Sequence, residues 1–106
     1  MERAVKRGEV WLAEIGRRPR PVVVLTRDEV LEVRQLVTVA EVTTQIRGSF
    51  VEVSIGGESA GLEQPSVVNA DGIHTIAQTR LTRRFGELTP GELRQICSAV
   101  KVALGC

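Results

Sequence analysis

Apolar and polar positions alternate along most of this chain, and the period changes decisively only once, near the end. In residues 8–15, Trp11, Ala13 and Ile15 share one parity and Val10 and Leu12 the other. Apolar residues on both parities predict a strand covered on both faces. Gly16-Arg17-Arg18-Pro19 predicts a short connection. The β-branched run Val22-Val23-Val24-Leu25 predicts a buried strand. Residues 28–34 fit a helical turn or a loop, and residues 35–44, rich in Val and Thr, predict a third strand. Ile46-Arg47-Gly48-Ser49 predicts a hairpin turn into residues 50–55. There Val51, Val53 and Ile55 face inward while Phe50, Glu52 and Ser54 face outward. A glycine-rich loop is expected over residues 56–65, with short strands over 66–69 and 73–76.

After residue 88 the period becomes helical. Thr89-Pro90-Gly91-Glu92 has the form of a capping box, with Thr89 as N-cap, Pro90 at the first helical position and Glu92 reaching back. Leu93, Ile96, Cys97, Val100 and Leu104 follow at helical spacing, and Gly105 can close the helix. The fold class expected is mainly β with a C-terminal α-helix. Its form is a small barrel or strongly bent sheet, in one domain over residues 1–106.

Composition narrows the chemistry. The 106 residues carry a net charge of +1, too little to bind polyanions by overall field. Twelve of the 14 basic residues are arginine, only Lys6 and Lys101 being lysine. Arginine grips phosphate through a planar fork of donors; GC-rich codon usage explains the same skew without function. Trp11, Phe50 and Phe85 are the only aromatics, too few for modules that read bases on aromatic platforms. Cys97 and Cys106 are too few and badly spaced for a metal site, and a bridge between them is not expected. No apolar targeting segment or membrane span is read, so the chain is expected to be cytoplasmic and to need no cofactor.

Several patterns carry candidate chemistry, each beside a plainer reading. Gly57-Glu58-Ser59-Ala60-Gly61 matches the nucleophile elbow of serine hydrolases, but Pro65 follows too soon for the required helix. His74 sits in strand-like alternation and reads first as a hydrogen-bonded structural histidine. Residues 16–27 hold Arg17, Arg18, Arg20 and Arg27 without an acid, and Arg20 stands between Pro19 and Pro21. Both prolines stiffen its backbone, which lowers the entropy lost on gripping phosphate; a solvated loop is the alternative. Thr43, Thr44, Gln45 and Arg47 offer donors for phosphate and base edges, against ordinary strand propensity. Period two puts Asn69 and Asp71 on one face, although such pairs also mark turns.

Taken in order, Arg7-Gly8-Glu9-Val10-Trp11, Arg18-Pro19-Arg20-Pro21-Val22-Val23-Val24-Leu25, Val39-Ala40-Glu41-Val42-Thr43-Thr44, Asn69-Ala70-Asp71-Gly72-Ile73-His74-Thr75-Ile76, Arg80-Leu81 and Gly86-Glu87-Leu88-Thr89 resemble the MazF/PemK family. These are toxins of bacterial type II toxin–antitoxin pairs, and the resemblance runs from Lys6 to Leu104. It implies an SH3-like barrel with a terminal helix, in a homodimer. It implies metal-independent, sequence-specific cleavage of single-stranded RNA, usually mRNA. The 2′-hydroxyl attacks the adjacent phosphorus, leaving a 2′,3′-cyclic phosphate and a 5′-hydroxyl. It also implies a cognate antitoxin whose acidic disordered segment occupies the basic groove.

By position, Arg20 takes the family's Arg-Pro arginine, for transition-state charge and leaving-group assistance. Thr43 takes the strand-end hydroxyl that holds a phosphate oxygen. Asp71 matches a proposed base, whereas Asn69 stands where some members have an arginine acid. Arg17, Arg18, Thr44, Gln45, Arg47 and Asn69 are the candidate RNA contacts. The connection between the first two strands is shorter than in many members, which keeps open a non-catalytic nucleic-acid- or protein-binding module, including gyrase-binding relatives of the fold.

Overall fold

The computed structural model describes residues 5–106. Six strands form one antiparallel sheet: β1 (Glu9–Ile15), β2 (Arg18–Val24), β3 (Leu36–Thr43), β4 (Glu52–Ile55), β5 (Ser66–Ala77) and β6 (Leu81–Glu87). Their spatial order is β4-β5-β3-β2-β1-β6. Two single-turn helices, α1 (Asp28–Leu31) and α2 (Gly57–Ala60), interrupt the strands, and α3 (Pro90–Leu104) ends the chain. This is the mainly β architecture with a C-terminal helix that the sequence predicts.

Both faces of the sheet are apolar, as the double parity of β1 requires. On one side Val10, Val23, Ala40, Val68 and β4 pack against Ile96 and Ala99 of α3. On the other, Trp11, Ala13, Val22, Val24, Val37 and Val39 form a second cluster with Leu81 and Leu31. Leu81 lies on β6 and Val37 on β3, three strands apart in the ladder, so the sheet curls around this second cluster.

The first hairpin is tighter than the expected connection. Ile15 pairs with Arg18, so only Gly16 and Arg17 leave the ladder. Gly16 has φ 64° and, among the described residues, only glycines have positive φ, which fits a glycine-first two-residue turn. The strand expected over 22–25 therefore begins four residues earlier. Its prolines are tolerated for a reason of geometry. Leu25 donates its N–H to Thr38 of β3, so the alternate positions Pro19 and Pro21 direct their nitrogens the same way. The β2–β3 ladder stops at Val22–Glu41, and no ladder bond is lost.

Four further expectations change. The hairpin expected at residues 46–49 does not form: β4 pairs with β5, which lies between it and β3, so the segment crosses over instead of folding β4 back on β3. The two short strands over 66–69 and 73–76 are one strand, β5, with a wide irregularity. Ala40 pairs with Ile73 but the next residue, Glu41, pairs with Asn69, leaving residues 70–72 outside the β3 ladder. β6 escapes the sequence pattern because Thr82, Arg83 and Arg84 give this edge strand a solvated run; charge protects such an edge. The loop expected over 56–65 contains the single turn α2. The backbone of α2 presses on β6: a Cβ at Gly61, whose φ is +72°, would stand 2.0 Å from the Phe85 carbonyl oxygen, and one at Gly86 would stand 2.2 Å from the Ser59 carbonyl oxygen. Phe50 precedes β4 and is exposed.

Candidate functional site

Where β3 parts from β2, a cleft of about 590 Å³ opens. β3 continues against β5 as far as Thr43–Val67, while β2 runs on toward its turn against β1 alone. The wedge between them is lined by Arg18, Arg20, Glu41, Thr43, Gln45, Arg47, Glu52, Asn69 and Asp71, among others. Register explains the convergence. Two residues past the Val22–Glu41 pair, on the same face, stand Arg20 on β2 and Thr43 on β3.

Arg20 is held from β3. Its Nη1 donates to Glu41 Oε1 at 2.9 Å, and the other carboxylate oxygen, Oε2, lies 2.5 Å from His74 Nε2. Burial alone would raise the Glu41 carboxyl, but the hydrogen bonds from His74 and Arg20 and their charge outweigh it and hold it below the ordinary glutamate value. An ionised carboxylate only accepts, so Nε2 of His74 carries the proton and donates. The row Arg20–Glu41–His74 crosses β2, β3 and β5 on one face, and Gly72 leaves it room: a Cβ there would stand 3.3 Å from Glu41 Cβ and Oε2.

The other walls are organised by backbone bonds. Glu52 accepts the N–H groups of Arg47, Gly48 and Ser49, which fixes the β3–β4 turn with Arg47 beside the cleft. Thr43 Oγ1 accepts from the Gln45 N–H. Asn69 Oδ1 accepts from the Asp71 N–H at 3.0 Å, a local bond inside the β5 irregularity. Both side chains border the cleft while Ala70 between them is buried, as the expected alternation requires.

Of the nine residues singled out from sequence, the cleft gathers Arg18, Arg20, Thr43, Gln45, Arg47, Asn69 and Asp71. Arg17 stays exposed in the first turn, and Thr44 borders a separate hollow with Ser66, Arg83 and Phe85. Sequence reading missed the roles of Glu41 and Glu52. Glu41 carried a usable sign, being an acid on the inward parity of Val37 and Val39. His74 is hydrogen-bonded, as read, and Ser59 lies exposed on α2. Both cysteines are free, and Cys97 Sγ accepts from Arg7 Nη2. Among the described residues no group of three or more His, Cys, Asp or Glu could hold a metal ion, and no helix is long and apolar enough to cross a membrane.

Residues 6–104 match the family described as PemK-like, MazF-like toxins of type II toxin–antitoxin systems. The chain belongs to that family. Among its MazF relatives, the probable endoribonuclease MazF5 of Mycobacterium tuberculosis is 42% identical over 103 residues, covering 94% of this chain and 93% of the relative. A solved mycobacterial endoribonuclease in complex with its cognate antitoxin superposes with a TM-score of 0.86 at 27% identity, over 96% of each chain. The M. tuberculosis toxin MazF-mt6 gives 0.84 at 35% identity, over 92% of this chain and 96% of that one. The MazF resemblance of the sequence and the mainly β fold thus agree with family and structural neighbours alike.

Proposed function

We propose that this MazF-like chain is a toxin endoribonuclease that cuts single-stranded RNA, mRNA above all, at a short motif. The reaction is metal-independent: the 2′-hydroxyl attacks the adjacent phosphorus, giving a 2′,3′-cyclic phosphate and a 5′-hydroxyl. A cognate antitoxin silences it by laying an acidic disordered segment across the cleft, and the toxin works as a homodimer. The observation that supports this reading is the meeting of Arg20 and Thr43 across the β2–β3 wedge, with carboxylates beside them. Arg20 stabilises the charge gathering on the phosphorane and the leaving oxygen, and Thr43 holds a non-bridging oxygen. Asp71 and Glu41 are the carboxylates available to take the 2′-hydroxyl proton. Arg18, Gln45, Arg47 and Asn69 hold flanking nucleotides; Arg17 and Thr44 meet only RNA that extends beyond the cleft.

End-mapped cleavage of a long, weakly structured RNA in excess EDTA tests this. Wild type is expected to cut at a short shared motif with 5′-hydroxyl ends. Arg20→Ala is expected to stay folded and to lose cleavage by at least ~100-fold, and a 2′-deoxy scissile nucleotide to block it. Full activity in Arg20→Ala, or equal cutting of the 2′-deoxy site, sinks the assignment.

Two observations favour a second reading, a non-catalytic binding module on the same sheet. Asn69 occupies the place of an arginine, and only Gly16 and Arg17 separate β1 from β2. RNA bound without change to its termini would favour that reading.

A further inference from the structure

We infer that Glu41 is the general base of this cleft, oriented by His74, in place of the Asp71 that sequence position suggests. The inference rests on the ribonuclease reading above. Glu41 lines the cleft and shares Arg20 with whatever anion that arginine binds. A guanidinium has five N–H donors, and the Nη1 bond to Glu41 leaves the rest of the fork to a phosphate. The 2′-oxygen that attacks is joined to the carbon next to the one bearing that phosphate. Gripping the phosphate at Arg20 therefore brings the 2′-hydroxyl toward the carboxylate held by the same side chain.

Asp71 is placed differently. It sits exposed in the residues that leave the β3 ladder, and its carboxylate makes no ion pair among the described residues. Nothing fixes its direction. Glu41, by contrast, is fixed at both oxygens, and each oxygen keeps a second acceptor position. The low set of its carboxyl keeps it ionised at neutral pH, ready to accept. Gly72 completes the arrangement by leaving the carboxylate its space.

The proton balance closes with one water as the only further participant, regenerated at the end. Glu41 takes the 2′-hydroxyl proton as the 2′-oxygen bonds to phosphorus and the bond from phosphorus to the 5′-oxygen breaks. That oxygen, hydrogen-bonded to Arg20, takes a proton from water. The hydroxide left behind recovers the proton from Glu41. His74 keeps the carboxylate turned and acts as a positioning residue. The charged groups facing Glu41 are Arg20 from β2 and His74 from β5, with Asp71, Glu52, Arg18 and Arg47 around the same cleft.

The test is single-turnover cleavage of an otherwise 2′-deoxy oligonucleotide with one ribonucleotide at the mapped site, followed from about pH 2.5 to about pH 8. Glutamine at 41 keeps an oxygen for Arg20 but cannot take a proton. Glu41→Gln is expected to lose ~100-fold or more in rate and the acid limb of the profile, with affinity for the all-deoxy strand within about threefold. Glu41→Asp retains the limb at reduced rate, and gives the same answer should the glutamine variant melt early. His74→Gln, which keeps a donor, retains more rate than His74→Ala. A Glu41→Gln enzyme within tenfold of wild type overturns the base assignment while leaving the ribonuclease reading intact. So does an Asp71→Asn enzyme that takes the larger loss and the acid limb with it. A wild type that cuts no site overturns both.

Discussion

At residue scale the cleft depends on a side chain that is absent. A methyl group at 72 would press on the Glu41 carboxylate from 3.3 Å and move it away from Arg20. Gly72→Ala is expected to lower the cleavage rate about tenfold, since small misplacements of reacting groups weigh heavily. Its thermal melt should stay close to wild type, because the crowded group borders a solvent-filled cleft; calorimetry and single-turnover kinetics check both halves. Individual residues were unevenly legible in the sequence. Arg20 showed itself through the prolines around it and Thr43 through its place at a strand end. Glu41 showed only an acid on an inward parity, and nothing in the chain tells that the arginine it meets stands on the neighbouring strand β2. Glu9 is a similar case: it is buried, and accepts from Lys6 N–H, Trp11 Nε1 and Arg84 Nε, the last across 75 residues of chain.

At element scale, local signals succeeded where local bonds decide. The capping box of α3 forms as read: Thr89 Oγ1 accepts from Glu92 N–H, and Glu92 Oε1 accepts from Thr89 N–H. The structure adds a tie no local pattern reveals, Gly56 N–H donating to Glu92 Oε2 at 2.6 Å. Burial by itself raises the Glu92 carboxyl, but the bonds from Gly56 and Thr89 outweigh it and hold it below the ordinary value of 4.5. A carboxyl lower in the folded than in the unfolded state stabilises above the unfolded value and loses that contribution as pH falls through the folded one. Glu92→Gln is therefore expected to be less stable than wild type at pH 7, by about 1 kcal/mol. The gap should shrink as pH drops below about 4.5, and urea midpoints across pH would show it. Elements fixed by distant partners were harder. The first half of β2 carries no apolar run, only Arg18-Pro19-Arg20-Pro21, and the end of the β2–β3 ladder is what lets those prolines sit in a strand. β6 was missed because an outer edge shows little alternation.

At the scale of the whole molecule, the fold was legible because the apolar parities of β1 and β2 demand cover on both faces, and few small folds provide it. The net charge of +1 also sets the salt dependence expected of the proposed RNA binding. On that proposal, a short strand filling the cleft has about three phosphates neutralised, by Arg18, Arg20 and Arg47. The expected slope of log affinity against log salt is then about −2, or roughly a twentyfold loss from 50 to 200 mM salt. Binding of a non-cleavable 2′-deoxy strand measures it, and a slope near −6 would mean a far wider basic surface. A last consequence lies in β5. Three residues leave its ladder, an odd number, so the strand changes phase there: Asn69 pairs with Glu41, while His74 pairs with Val39, and residues of opposite parity come to share a face. The segment acts as a frameshift written in side chains. Loss of one residue between 70 and 72 is expected to turn His74 into the wrong face and leave insoluble protein on expression. Loss of two keeps the phase and leaves a folded chain with an altered cleft, so length here is tolerated in steps of two.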